Sequence, residues 1–140
     1  MSEHELYGLI ADYLKLQYPD VLFRFDLAAD LKLTPGQARK HKRLHPKRGY
    51  PDLFIAHPQI TTTKDGVPFA WHGLFLEIKK DGVKILKRDG SYVKDEHIRE
   101  QAKMLNALNR RGYQAYFAVG FEQAKQIIDE YLGRRQTKDI

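Results

Sequence analysis

The stretch that most constrains this chain is Gly73-Leu74-Phe75-Leu76-Glu77-Ile78-Lys79-Lys80, an apolar run interrupted by a single acid. It reads as a buried strand, and successive side chains of a strand point to opposite faces. Glu77 and Lys79 therefore share a face, while Ile78 points the other way into packing. A carboxylate on a buried strand is costly unless it is paired or binds a cation. A second stretch, Gly49-Tyr50-Pro51-Asp52-Leu53-Phe54-Ile55-Ala56, offers the partner. Leu53 to Ala56 is again apolar, with Pro51 at the strand entrance, where a missing backbone donor is tolerated. If the two strands are antiparallel neighbours, Asp52 and Glu77 lie side by side, and a divalent metal between them relieves their repulsion. Magnesium suits such a pair, because it takes oxygen ligands and keeps several waters while one or two carboxylates hold it. Lys79 is then positioned to orient a water or to stabilise an anion.

The ordered set Arg48-Gly49-Tyr50-Pro51-Asp52-Leu53, then Glu77-Ile78-Lys79 about 25 positions after Asp52, then Gln101 on a helix and Gly112-Tyr113 leading a strand, resembles the PD-(D/E)xK nucleases. Within them it is most similar to the VRR-NUC (virus-type replication-repair nuclease) domains. The resemblance spans nearly the whole chain and implies a restriction-endonuclease-like α/β fold with a mixed central sheet flanked by helices in αβββαβ order. It implies that Asp52 and Glu77 bind Mg2+ or Mn2+, with the Ile78 backbone carbonyl as a further candidate ligand. It also implies an acid from the first helix at the edge of the site, for which the family register favours Glu3 over Glu5. Lys79 would position or activate water, and Gln101 would help hold it. Many relatives carry Gln where Tyr7 stands here.

With 140 residues, the chain is expected to form one domain spanning 1–140. The absence of cysteine leaves only oxygen and imidazole as metal ligands and excludes disulfides. No apolar run reaches membrane-spanning length, and Met1-Ser2-Glu3-His4-Glu5 lacks the layout of a signal peptide, so the expected location is cytoplasmic, the host cytoplasm if the protein is phage-encoded. The net charge of +6 is concentrated in one place. Lys32, Arg39, Lys40, Lys42, Arg43, Lys47 and Arg48 fall between Leu31 and Pro51 with no acid among them. Without these seven, 17 of the 24 basic residues face 18 acids. A basic stretch abutting a candidate metal site reads as a clamp for the phosphate backbone of DNA. Lys80 adds to it from the other strand.

Along the chain, Ser2 caps a helix over 3–17 with Leu6, Leu9, Ile10, Tyr13 and Leu14 as its apolar stripe. Val21 to Phe25 follows as a strand, in which Arg24 suits either the site or a solvated edge. Thr34-Pro35-Gly36-Gln37 has the form of a capping box and predicts a short basic helix over 35–44. His41 and His45 stand one helical turn apart. Pro46 disfavours helix at His45 and no acid is near in sequence, so they are read as surface or phosphate contacts rather than metal ligands. Asp65-Gly66 predicts a β-ribbon that extends the strand pair, with Trp71 packed in the core or at an interface. A hairpin-like loop turns at Asp89-Gly90. A helix over 94–110 places Ile98, Ala102, Leu105 and Leu108 inward, a strand covers 113–119, and a helix from Phe121 to Leu132 closes the fold before a frayed tail at 133–140.

These readings predict a metal-dependent DNA endonuclease. Relatives of this size suggest a homodimer acting on branched DNA in the manner of Holliday-junction-resolving enzymes. The rival is a DNA-binding module that keeps the fold without catalysis. A sugar-phosphate or nucleotide enzyme is disfavoured by the lack of a Gly-rich phosphate loop.

Overall fold

The structure, a computed structural model, describes residues 1–26 and 32–133. Helix α1 (Glu3–Gln17) opens on a capping box, in which Ser2 and Glu5 each accept the other's backbone N–H at 3.1 Å. Its buried residues are Leu6, Tyr7, Ile10 and Leu14. The helical spacing assigns Leu9 to this stripe, but Leu9 is 41% exposed, and Tyr7 is buried instead with its ring stacked on Phe25 at 5.0 Å. The first strand, β1 (Phe23–Phe25), lies beneath that side of the helix and draws the buried stripe toward Tyr7.

Helix α2 (Pro35–Leu44) carries the expected Thr34–Gln37 capping box and buries none of its residues. Strand β2 (Leu53–Ile55) follows, then a hairpin of β3 (Gln59–Thr62) and β4 (Pro68–Trp71), then β5 (Leu74–Lys79). Helix α3 (Glu96–Asn109) is capped by Asp95, whose carboxylate accepts the N–H groups of His97 and Ile98. Strand β6 (Gln114–Val119) and helix α4 (Phe121–Leu132) complete the described elements. The predicted frayed tail, apart from Gly133, lies outside the described residues.

The main sheet has the order β1-β2-β5-β6. β1 with β2 and β2 with β5 are antiparallel, whereas β5 with β6 is parallel and joined through α3, as a parallel pair requires a long crossover. The sheet is thus mixed, with helices on both faces, as expected. The ribbon is a correction: β3 and β4 pair only with each other, from Gln59↔Trp71 to Thr62↔Pro68, and do not extend the main sheet. Pro58, just before β3, has no N–H to offer a continuing ladder. The base of the hairpin is instead tied to α4, where the Tyr131 hydroxyl donates to the His57 carbonyl at 2.6 Å and the Gln59 amide donates to the Tyr131 carbonyl at 2.9 Å. The Asp89-Gly90 turn is hairpin-like, closed by one isolated antiparallel bridge, Leu86↔Tyr92.

Strand alternation divides the core. Leu53, Ile55, Leu74, Leu76 and Ile78 pack with α1 and α4 through Leu6, Ile10, Leu14, Ala124 and Ile128. Phe54 and Phe75 pack on the opposite face with Leu105, Leu108 and Tyr113. The α1–α4 contact also carries a polar clasp, in which the Tyr13 and Tyr18 hydroxyls both donate to Asp129, at 2.5 and 2.6 Å. By the same alternation, Asp52, Glu77 and Lys79 fall on the α3 face of the sheet, with Phe54 and Phe75.

Candidate functional site

Asp52 stands one residue beyond the Leu53↔Leu76 pair, so the antiparallel register carries it opposite Glu77. Its backbone is held by the strand beside it, where the Asp26 N–H donates to the Asp52 carbonyl at 2.8 Å. Its side chain is held by the strand on the other side, with Oδ2 accepting the Ile78 N–H at 2.9 Å. The carboxylate thus occupies the place of a ladder carbonyl. Pro51 and Asp52 precede the paired residues of β2, which begin at Leu53.

Glu77 is 4% exposed and is the one buried charged residue among those described. Burial is the main force that pushes its carboxyl from about 4.5 up to about 10; a hydrogen bond with Asp52 and the Asp52 charge add to it, and Glu3 adds a little more. Lys79, two residues along the same strand face, pulls in the opposite direction. Four groups named from the sequence, Glu3, Asp52, Glu77 and Lys79, therefore sense one another electrostatically. Glu5, the other acid of the first turn, is occupied by the capping box. An all-oxygen pair, one member buried and each raising the cost of charging the other, fits a hard divalent cation such as Mg2+ or Mn2+.

Gln101 approaches from α3, where its Oε1 is buried with no hydrogen-bond partner among the described residues. A buried acceptor without a donor costs about 1–3 kcal/mol. The motif glycine is explained by the same contact. At Gly49 the backbone has φ +80°, and a Cβ there would lie 2.9 Å from the Glu100 carbonyl oxygen and 3.2 Å from the Gln101 Cα. Only glycine lets the loop that carries Asp52 lie directly on α3. Nothing near Gly49 in the chain marks the approach of α3, so this contact is not legible in the sequence.

The seven basic residues predicted to contact DNA are all exposed. Arg39, Lys40, Lys42 and Arg43 lie on α2, Lys47 and Arg48 in the segment leading to Asp52, and Lys80 just beyond β5. A cleft of about 480 Å³ is lined by Arg24, Asp26, His45, Lys47, Tyr50 and Asp52, among others, so Arg24 does face the region of Asp52 from its edge strand. One grouping was not foreseen, because the end of β1 brings Asp26 to His41 and His45. Asp26 stands 15 positions before His41, and no local sequence pattern joins it to the histidines.

A solved structure described as a VRR_NUC domain protein is similar to this chain, with a TM-score of 0.59 and 28% identity over 95% of this chain and 89% of that one. The chain is VRR-NUC-like. No family model matches the sequence, nor does any curated protein. The fold and this likeness give the chain a VRR_NUC-like, nuclease-type architecture. No helix among the described residues is long and apolar enough to cross a membrane.

Proposed function

We propose that this VRR-NUC-like domain is a metal-dependent DNA endonuclease. The observation that carries the reading is Glu77, a carboxyl shut from solvent beside Asp52 on a strand that otherwise packs as core. A fold has no use for that burial, and a cation site does. Asp52 and Glu77 would hold Mg2+ or Mn2+, with the Ile78 carbonyl and Glu3 as further ligands. When bound, the ion supplies positive charge against the charge that develops on the scissile phosphate. Lys79 would orient the attacking water and stabilise the phosphoryl oxygens from the same strand face, as fixed cations do in phosphodiester hydrolysis. The Gln101 amide would hold that water or a phosphate oxygen. The water adds to phosphorus and gives up a proton to solvent as the bond to the leaving sugar oxygen breaks, and that oxygen takes up a proton from solvent.

The exposed cations of α2, with Lys47, Arg48 and Lys80, would grip the DNA backbone without reading bases. We extend the proposal to a homodimer selective for branched DNA, by analogy with small members of the family. The hairpin stands apart from the main sheet with Ile60, Val67 and Phe69 exposed, a surface suited to a second subunit. Sedimentation that finds a monomer with DNA bound would remove the dimer from the proposal.

The deciding experiment is cleavage of labelled linear, flapped and four-way-junction DNA with Mg2+, Mn2+ or EDTA, comparing the wild type with Asp52→Asn and Lys79→Ala. Metal-dependent cleavage should fall at least about a hundredfold in each variant while binding persists. Binding without cleavage by every form would replace the nuclease with the DNA-binding module.

A further inference from the structure

We propose that Asp26, His41 and His45 form a second metal site, separate from the Asp52–Glu77 pair, that takes a divalent transition ion of the zinc class and clamps the basic helix α2 to the end of β1. One ligand atom from each of the three residues falls within 4.8 Å of the others. Tetrahedral ligands about 2.0–2.1 Å from zinc stand roughly 3.3 Å apart, so side-chain rotation that turns the two stacked rings edge-on to one ion would close the set, and a water would complete the fourth position.

Three features argue for a metal over a chance meeting of surface groups. The first is the histidine pair itself. His41 and His45 are one helical turn apart, and their rings stack at 4.2 Å between centroids with 19° between planes. The helical spacing thus brings both imidazoles to one side of α2, where each offers a ring nitrogen within 4.8 Å of the Asp26 carboxylate. The second is tautomer control. Nδ1 of His45 lies 3.2 Å from the His41 carbonyl oxygen, and in the tautomer that donates to that carbonyl Nε2 is the acceptor, the arrangement in which a backbone carbonyl orients a ligating histidine. The third is an unmet need. Nε2 of His41 is buried and has no hydrogen-bond partner among the described residues.

The donors also select the ion. The cations nearby, Arg24 and Lys47 in the same cleft and Lys42 and Arg43 on α2, disfavour a weakly held hard ion such as Mg2+. Imidazole nitrogens bind zinc-class ions more firmly than they bind magnesium. The consequence is mechanical. The Asp26 N–H donates to the Asp52 carbonyl at 2.8 Å, so a clamp at Asp26 joins the DNA-gripping helix to the strand end that carries the first acid.

The test is titration of the EDTA-dialysed full-length protein with Co(II), read by visible absorption. A tetrahedral site that contains nitrogen absorbs strongly, whereas an octahedral oxygen site of the Asp52–Glu77 kind absorbs weakly. One equivalent of strongly absorbing Co(II), displaced by Zn(II), is expected in the wild type and in Asp52→Asn. His41→Gln and His45→Gln should each weaken it by more than about tenfold, since loss of a ligand costs more than loss of its supporting shell. Both positions are solvent-facing in part, and circular dichroism verifies that the variants stay folded. The proposal is overturned if the wild type shows no strong absorption, if both histidine variants match it, or if Asp52→Asn alone removes the signal.

Discussion

Glu77 is held between two demands that differ in sign. Its strand needs an apolar residue, and burial accordingly favours the protonated carboxyl, which loses its proton only at about pH 10 rather than near 4.5. In the unfolded chain the same group ionises near its usual value. Between these limits the folded protein binds the extra proton, so without metal the stability is greatest below about pH 4.5 and falls as pH rises toward 10, as far as this group decides it. Glu77→Gln should flatten that decline and raise the Tm of the EDTA-treated protein at pH 8, while abolishing any rise in Tm produced by Mg2+ in the wild type. Thermal melts across pH, with and without metal, check both halves. Asp52, Glu77 and Lys79 were legible in the sequence because period-two alternation is a local rule, and an acid that breaks an apolar strand stands out under it. The lack of a partner for Gln101 Oε1 and the approach of Asp26 to the histidines were not legible, since each depends on residues from distant elements.

At the scale of elements, the contact of the Asp52 loop with α3 rests on one residue without a side chain. Gly49→Ala would force a left-handed backbone on alanine and drive its methyl into the Glu100 carbonyl, at a cost of about 1–3 kcal/mol or more, measured by urea denaturation. It should also reduce cleavage, because the loop it displaces carries Asp52. On the opposite face, Ile128 is fully buried between α4, α1 and the sheet, and Ile128→Ala should cost about 2–5 kcal/mol without altering the site. Helix boundaries could be read from sequence because their signals are local: Ser2–Glu5 and Thr34–Gln37 form their boxes, and Asp95 caps α3 one residue inside the predicted range. The β-ribbon was misjudged because a turn signal specifies a hairpin but not the sheet it joins. Leu9 and Tyr7 exchanged roles for a similar reason, since α1 alone does not say on which side β1 will lie.

Over the whole molecule, the excess positive charge lies on α2 and the segment after it, none of it buried. Binding to DNA should therefore weaken linearly in log–log form with salt, and a Lys42→Ala, Arg43→Ala double variant should lower the magnitude of the slope by about 2 while affecting all sequences alike. Fluorescence anisotropy from low to physiological salt reads this directly. An unchanged slope would move the DNA contact elsewhere. The mixed sheet could be anticipated because its motif order implied a known topology, and the side-by-side acids follow from the antiparallel step between β2 and β5.

The bond from the Ile78 N–H to Asp52 gives the two acids unequal weight as witnesses to activity. Asp52 supplies an acceptor that the sheet needs, so a lineage that had abandoned catalysis would still gain by keeping an oxygen there. Glu77 gives the fold no such benefit. Under drift it would be the first to be replaced, because almost any apolar substitute would settle the strand. Its presence at the centre of β5 is therefore the stronger sign that something outside the fold's own stability has kept it.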